Sequence, residues 1–220
     1  MTQHAPLFIV LLPVSAALLC MLFSRIQKNL GSWIVIASIA GAFLSAVSSL
    51  QQVIADGGKP IHYWMGNWQP PLGIEFVIDP ISGALAVLIT FIALLGSLYS
   101  LPFVKEEGWL HIGGYYTLYG LMTVGMCGMV ITGDVFNLYV FLEVMSLSGY
   151  GLIAIGGKKS MLAAFRYLLI GTIGASLYLL GVGYMYALTG TLNMADMAVR
   201  AAEFLNYPLF ALALACFVVG

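Results

Sequence analysis

One residue in this sequence sits where its chemistry is costly. Glu143 lies near the middle of "GDVFNLYVFLEVMSLSGYGLIAIG", residues 133–156, a stretch long enough to cross a bilayer as one helix. A charged group at that depth costs about 2.5–3.5 kcal/mol on insertion scales. At helical spacing the Glu143 stripe runs through Phe136, Tyr139, Val140, Ser146, Leu147 and Tyr150. The hydroxyls of Tyr139, Ser146 and Tyr150 therefore share the carboxylate's face. Such a polar seam suits a helix that lines a hydrated cavity rather than one that faces lipid. Two readings are open: a protonatable relay site, or a permanently protonated acid that only hydrogen-bonds a neighbouring helix. The relay is the expectation, because intramembrane carboxylates mark ion and proton pathways.

A carboxyl group balanced between burial, which favours the neutral acid, and a nearby cation, which favours the anion, can take up and release protons. The candidate cation is Arg166, in "SMLAAFRYLLIGTIGASLYLLG". It either faces the Glu143 helix and modulates that site's charge, or snorkels back to the membrane surface. Asp134, nine residues before Glu143, falls on the opposite side of the same helix and is a secondary candidate. Asp79 is another. In "DPIS" it reads first as the N-cap of a helix with Pro80 at the first helical position, and only second as an ion-handling group.

The elements that must hold these residues follow from composition. The chain has 220 residues, 61% hydrophobic and 8% charged, with mean hydropathy +1.00. A soluble domain carries roughly 25% charged residues, so lipid must be the solvent for most of this surface. Apolar runs of about 20 residues place spans near 6–24, 31–54, 80–104, 113–132, 134–156 and 161–189. A seventh begins near Pro208 and is cut off at Gly220 without a cap, polar tail or basic stop, so a continuation is expected. The fold class is thus an all-α polytopic membrane protein of six transmembrane helices plus a truncated seventh. Residues 1–112 carry the first three helices, and 113–220 carry helices four to six and the partial seventh.

Lysines and arginines orient the chain. With the N-terminus outside, Arg25, Lys28, Lys105, Lys158, Lys159 and Arg166 fall inside or just within a span, against Lys59 and Arg200 outside. Between helices two and three, "ADGGKPIHYWMGNWQPPLGIEFVID" alternates in "IHYW" and "IEFVID", which predicts a short outer hairpin with Trp64 and Trp68 in the interface belt. "TLNMADMAVRAAEFLNYP" predicts a short amphipathic helix capped by Asn193 and lying along the outer interface.

Other signals are structural. Cys20, Cys127 and Cys216 stand alone in apolar runs and read as small buried hydrophobes. His62 and His111 lie at span edges without a partner at metal-ligand spacing and read as interfacial. The tyrosines of "YYTLY", 115–119, read as belt or packing residues. Gly171, Gly174 and Gly181 permit close helix contact. No metal site, cofactor or nucleic-acid surface is expected, and no nucleophile–base arrangement suggests covalent catalysis.

The run "TGDVFNLYVFLEVMSLSGYGLIAIGGKKSMLAAFRYLLIGTIGASLYLLGVGYMYALTGTLNMADMA", with "GIEFVIDPISGALAVLI" before it, resembles the antiporter-like proton-translocating membrane subunits. Respiratory complex I, membrane-bound hydrogenases and Mrp-type cation/proton antiporters share these subunits. Among the branches, "FNLYVFLEVM" and "TGTLNMADMA" look most like the D-type subunit of Mrp-type Na⁺/H⁺ antiporters. The resemblance implies that Glu143 matches the family's essential fifth-helix glutamate and Arg166 its basic residue early in helix six. It implies a fold of about fourteen helices with two inverted five-helix repeats, of which this chain holds the N-terminal part. It also implies other membrane subunits as partners, protons and, in an Mrp-like assembly, Na⁺ as cargo, and a bacterial-type plasma membrane. Any redox chemistry, as in an NADH-quinone oxidoreductase-type translocase, would belong to other subunits. The rival expectation is a non-conducting structural subunit or truncated paralogue of such a complex.

Overall fold

The structure is a computed structural model and describes residues 4–27, 29–104 and 109–220. Lys28 and Lys105, which entered the orientation argument, lie outside the described residues. Helices dominate: α1 (Ala5–Ile26), α2 (Leu30–Ala55), α3 (Pro80–Val104), α4 (Trp109–Ile131), α5 (Val135–Ala154), α6 (Lys158–Thr189), α7 (Met194–Ala201) and α8 (Pro208–Val219). Between α2 and α3 lie strands β1 (Ile61–Trp64) and β2 (Glu75–Ile78). Among the described residues, six helices are long and apolar enough to span a bilayer. This is a multi-pass, predominantly helical membrane architecture. In hydrocarbon a helix satisfies its own backbone polar groups, so spans of this composition fold as helices.

The helices run up and down. α1 packs on α2 and α4, α2 on α3, α4 on α5, α5 on α6, and α6 on α8. One buried cluster joins Ile9 and Val10 of α1, Ala46 and Val53 of α2, Phe76 and Ile78 of β2, Ala86 of α3, Cys127 and Ile131 of α4, and Phe141 of α5. The hairpin is thus wedged into the helix bundle. A second cluster, at the other end, joins Cys20, Val35, Ile39, Ala93, Ile112 and Tyr116. All three cysteines are free and buried, as small apolar side chains would be.

Small residues set the tightest approaches. A Cβ on Gly128 would run into the Phe141 ring, and one on Gly171 would meet the Tyr150 hydroxyl. On Gly181 a Cβ would lie 3.1 Å from the Ala213 carbonyl and from Phe217 of α8. Tyr116 and Tyr119 are packing residues: their hydroxyls donate to the carbonyls of Ser97 (3.2 Å) and Ala93 (3.0 Å) on α3.

The caps are as the residue types dictate. The Ser82 N–H donates to Asp79 Oδ1 at 2.7 Å, while the Asp79 N–H donates to Ser82 Oγ at 2.8 Å, a reciprocal box that starts α3. Asp134 starts α5 by accepting from the Asn137 N–H at 2.7 Å. Asn193 starts α7 by accepting from the Asp196 N–H at 3.1 Å. β1 and β2 pair antiparallel, with Trp64 opposite Glu75 and His62 opposite Val77.

Candidate functional site

Glu143 sits on the ninth residue of the 20-residue α5, half-buried, in the interior of the span. Its stripe is the more exposed side of α5 in this chain: Phe136 is 42% exposed and Leu147 55%. The seam is split. Tyr139 and Ser146 are half-buried beside Glu143, whereas Tyr150 is buried. Tyr139 lies one helical turn before Glu143 on the same face of α5.

The α5–α6 contact explains why these tyrosines are fixed. Tyr139 stacks on Tyr178 of α6, with ring centroids 6.5 Å apart and planes within 6°. The Tyr178 hydroxyl donates to the Val135 carbonyl at 3.2 Å, tying α6 to the first turn of α5. Tyr150 meets Tyr167 edge-on at 4.8 Å. Sequence reading missed Tyr178 and Tyr167, because neither lies on α5. Their spacing of eleven residues, three helical turns on one face, was the available signal.

Arg166 is exposed on α6, about 100° around the helix from Tyr167. Among the described residues the ion pairs are His62–Glu75 and Asp196–Arg200. The structure therefore gathers Tyr139 with Glu143, whereas Arg166 stands in the solvent- or lipid-facing layer of this chain.

The two secondary candidates are placed by their caps. The Asp134 carboxyl is buried where α5 begins, and burial raises its pKa against the lowering effect of the Asn137 and Phe136 N–H groups. Asp79 is held below the usual carboxylate range, chiefly by the Ser82 backbone N–H and then by its hydroxyl.

A second ionisable cluster lies at the hairpin end of the bundle. Glu75 of β2 is buried, with its side chain 8% exposed. Its Oε1 lies 2.7 Å from His62 Nδ1 and accepts from Trp64 Nε1 at 3.1 Å; its Oε2 accepts from Asn193 Nδ2 at 2.9 Å. The Gly133 N–H donates to the Glu75 carbonyl at 2.8 Å. One residue thus holds together β1, β2, the start of α5 and the cap of α7. His62 and Trp64 are therefore tied to an acid rather than being independent interfacial side chains. A cavity of about 280 Å³ opens beside this cluster, lined by His62, Glu75, Asp79, Thr132 and Asn193 among others.

The fold and this arrangement define a polytopic membrane protein with a carboxylate inside one span and a polar clasp at one end. Residues 132–220 match the family described as "NADH:quinone oxidoreductase/Mrp antiporter, TM". Over all 220 residues the chain is 43% identical to the N subunit of NADH-quinone oxidoreductase from Desulforudis audaxviator (strain MP104C), covering 44% of that protein. Over 195 residues, 88% of this chain, it is 32% identical to the D subunit of the Na⁺/H⁺ antiporter from Bacillus subtilis (strain 168), covering 38% of that protein. Among solved structures, the membrane-bound sulfane sulfur reductase, an archaeal respiratory membrane complex, superposes with a TM-score of 0.90 at 32% identity, over 99% of this chain and 44% of that one.

The chain belongs to the NADH:quinone oxidoreductase/Mrp antiporter membrane-subunit family. Its identity to the oxidoreductase relative exceeds that to the antiporter relative, so the likeness to the antiporters' D-type subunit extends to a complex I-type branch as well. The chain spans less than half the length of these relatives.

Proposed function

We propose that this chain is the N-terminal part of a proton- or cation-translocating membrane subunit, and that Glu143 is its protonatable relay group. The observation that carries this reading is a half-buried carboxylate in the interior of an apolar span, inside the segment that matches the family. Keeping an acid there costs free energy that a purely apolar side chain would not. Tyr139, one turn before it on the same face of α5, is the hydroxyl placed to serve it. Arg166 is the charge that would bias Glu143 once the remaining helices of the subunit enclose this side of α5.

The partners are other membrane subunits of one complex, as the relatives' names imply for their own assemblies. The membrane is a bacterial-type plasma membrane. Arg25, Lys158, Lys159 and Arg166 lie towards the end opposite the hairpin, while Lys59 and Arg200 lie at the hairpin end, which favours the hairpin outside. The cargo is protons, exchanged for Na⁺ in an antiporter-type assembly or driven by redox subunits in a complex I-type one.

The test is proton flux in vesicles by the complete assembly carrying Glu143→Gln. The reading expects flux to vanish while the complex still assembles. Wild-type flux would overturn it.

A further inference from the structure

We propose that His62 and Glu75 form a second proton-handling pair, which exchanges protons between the water on the hairpin side and the cavity beside the start of α5. This rests on the translocation reading above, yet it concerns different residues, 68 positions or more from Glu143 in sequence.

Three observations converge. First, the 2.7 Å separation of His62 Nδ1 and Glu75 Oε1 is short for an N–H···O bond and puts two groups capable of proton transfer in contact. Second, the pair spans two environments: the His62 side chain is 49% exposed and that of Glu75 only 8%. The imidazole is thus a bridge from surface water to a buried acid. Third, both residues line the cavity of about 280 Å³, together with the polar groups of Asp79, Thr132 and Asn193. A polar cavity of that size has room and hydrogen-bond partners for several waters. The cavity reaches Gly133, one residue before the cap of α5. Along α5, Glu143 is about 14 Å further at 1.5 Å per residue.

The carboxylate is held in place for this exchange. Trp64 Nε1 and Asn193 Nδ2 donate to its two oxygens, and the Gly133 N–H holds its backbone. The ring is less confined.

A proton from water adds to His62 Nε2, giving the imidazolium. The Nδ1 proton then passes to Glu75 Oε1: one N–H bond breaks, one O–H bond forms, and both charges are cancelled. The acid releases that proton to water in the cavity. Exchange with surface water, in which Nε2 gives up its proton and Nδ1 takes one up, restores the Nδ1–H tautomer against the carboxylate.

Other charges at this end set the field on the pair. Asp79 lines the same cavity and is engaged with Ser82. Asp134 is buried at the start of α5, bridged through its backbone to Asn193. His4, before α1, is bonded to the Tyr63 hydroxyl at 3.1 Å. Asp56 and Lys59 lie on the turn between α2 and β1. Asp196 and Arg200 of α7 are paired with each other.

The experiment measures proton flux by the complete assembly in vesicles while the pH on the hairpin side is varied. His62→Gln keeps an N–H donor for Glu75 but cannot carry a proton. The expected result is a flux lowered about tenfold, with its dependence on hairpin-side pH flattened, and with unchanged assembly. A second variant, His62→Ala, should recover flux when imidazole is added on the hairpin side. A wild-type pH profile in His62→Gln, or no recovery with imidazole in His62→Ala, overturns the proposal. Glu143→Gln, run alongside, separates the two claims. Flux lost in Glu143→Gln but normal in His62→Gln removes only this inference, whereas flux retained in Glu143→Gln removes the translocation reading itself.

Discussion

Asn193 Nδ2 donates to Glu75 Oε2 at 2.9 Å, across 118 residues of chain. The bond joins the hairpin to the segment between α6 and α7, and the same Asn193 side chain caps α7 through its oxygen. Asn193→Ala removes both functions, leaving a buried carboxylate oxygen without its donor and a helix without its cap. The expected loss is about 2–4 kcal/mol of stability, from about 1–3 for the orphaned acceptor and about 1 for the cap. Asn193→Asp keeps the cap but sets a second acid against Glu75, and should destabilise at neutral pH with recovery on acidification. Thermal melting of the detergent-solubilised protein at two pH values checks both.

Asp79 gives a pH dependence of known sign. Its carboxyl is held low in the folded protein by Ser82. Its contribution is therefore present above the unfolded value and is lost as pH falls through the still lower folded value. Asp79→Ala should cost about 0.5–2 kcal/mol at pH 7 as a lost cap, and the difference from wild type should shrink under strong acid. Melting curves of the pair between neutral and strongly acidic pH read this directly.

Asp134 should behave in the opposite sense. Burial raises its pKa in the folded protein. The folded state then favours the protonated acid, and stability falls as pH rises from the unfolded value through the folded one. Asp134→Asn keeps a good cap without a charge, so it should match wild type in acid and be at least as stable at pH 8. Asp134→Ala should be less stable than Asp134→Asn by about 1 kcal/mol. Melting temperatures of the three proteins in acid and at pH 8 decide the matter.

Gly128 tests the packing of α4 on α5. Its Cα lies against the Phe141 ring, and any Cβ there collides with it. Gly128→Ala should cost about 1–3 kcal/mol through forced repacking, and the double variant with Phe141→Leu should recover part of that loss. Equal melting temperatures for Gly128→Ala and wild type would contradict the close approach.

Much of this architecture is legible in the sequence, for physical reasons that differ by element. Bilayer thickness and the absence of water fix span length and composition, so α1 to α6 fall within a few residues of the apolar runs. The caps at Asp79, with Pro80 and Ser82 after it, and at Asn193, with Asp196, are local devices and read as such. The alternation of "IHYW" and "IEFVID" marked the hairpin. What stayed hidden is non-local. Glu75 reads as one polar position in a strand, and nothing near it in sequence announces Asn193 or Gly133. The facing register, which sets Trp64 opposite Glu75 and His62 two residues away, was the one available hint. Likewise the stripe through Tyr139, Glu143 and Ser146 follows from helical spacing, but the stacking of Tyr139 on Tyr178 depends on how α6 docks.

The central claim is that Glu143 binds and releases a proton while the assembly works. Infrared difference spectroscopy of the complete complex, recorded on stepping the pH under turnover conditions, observes that group directly. The account predicts a protonated-carboxyl C=O band that appears and disappears with the step in wild type and is missing in Glu143→Gln. An identical set of carboxyl bands in the two proteins would contradict it.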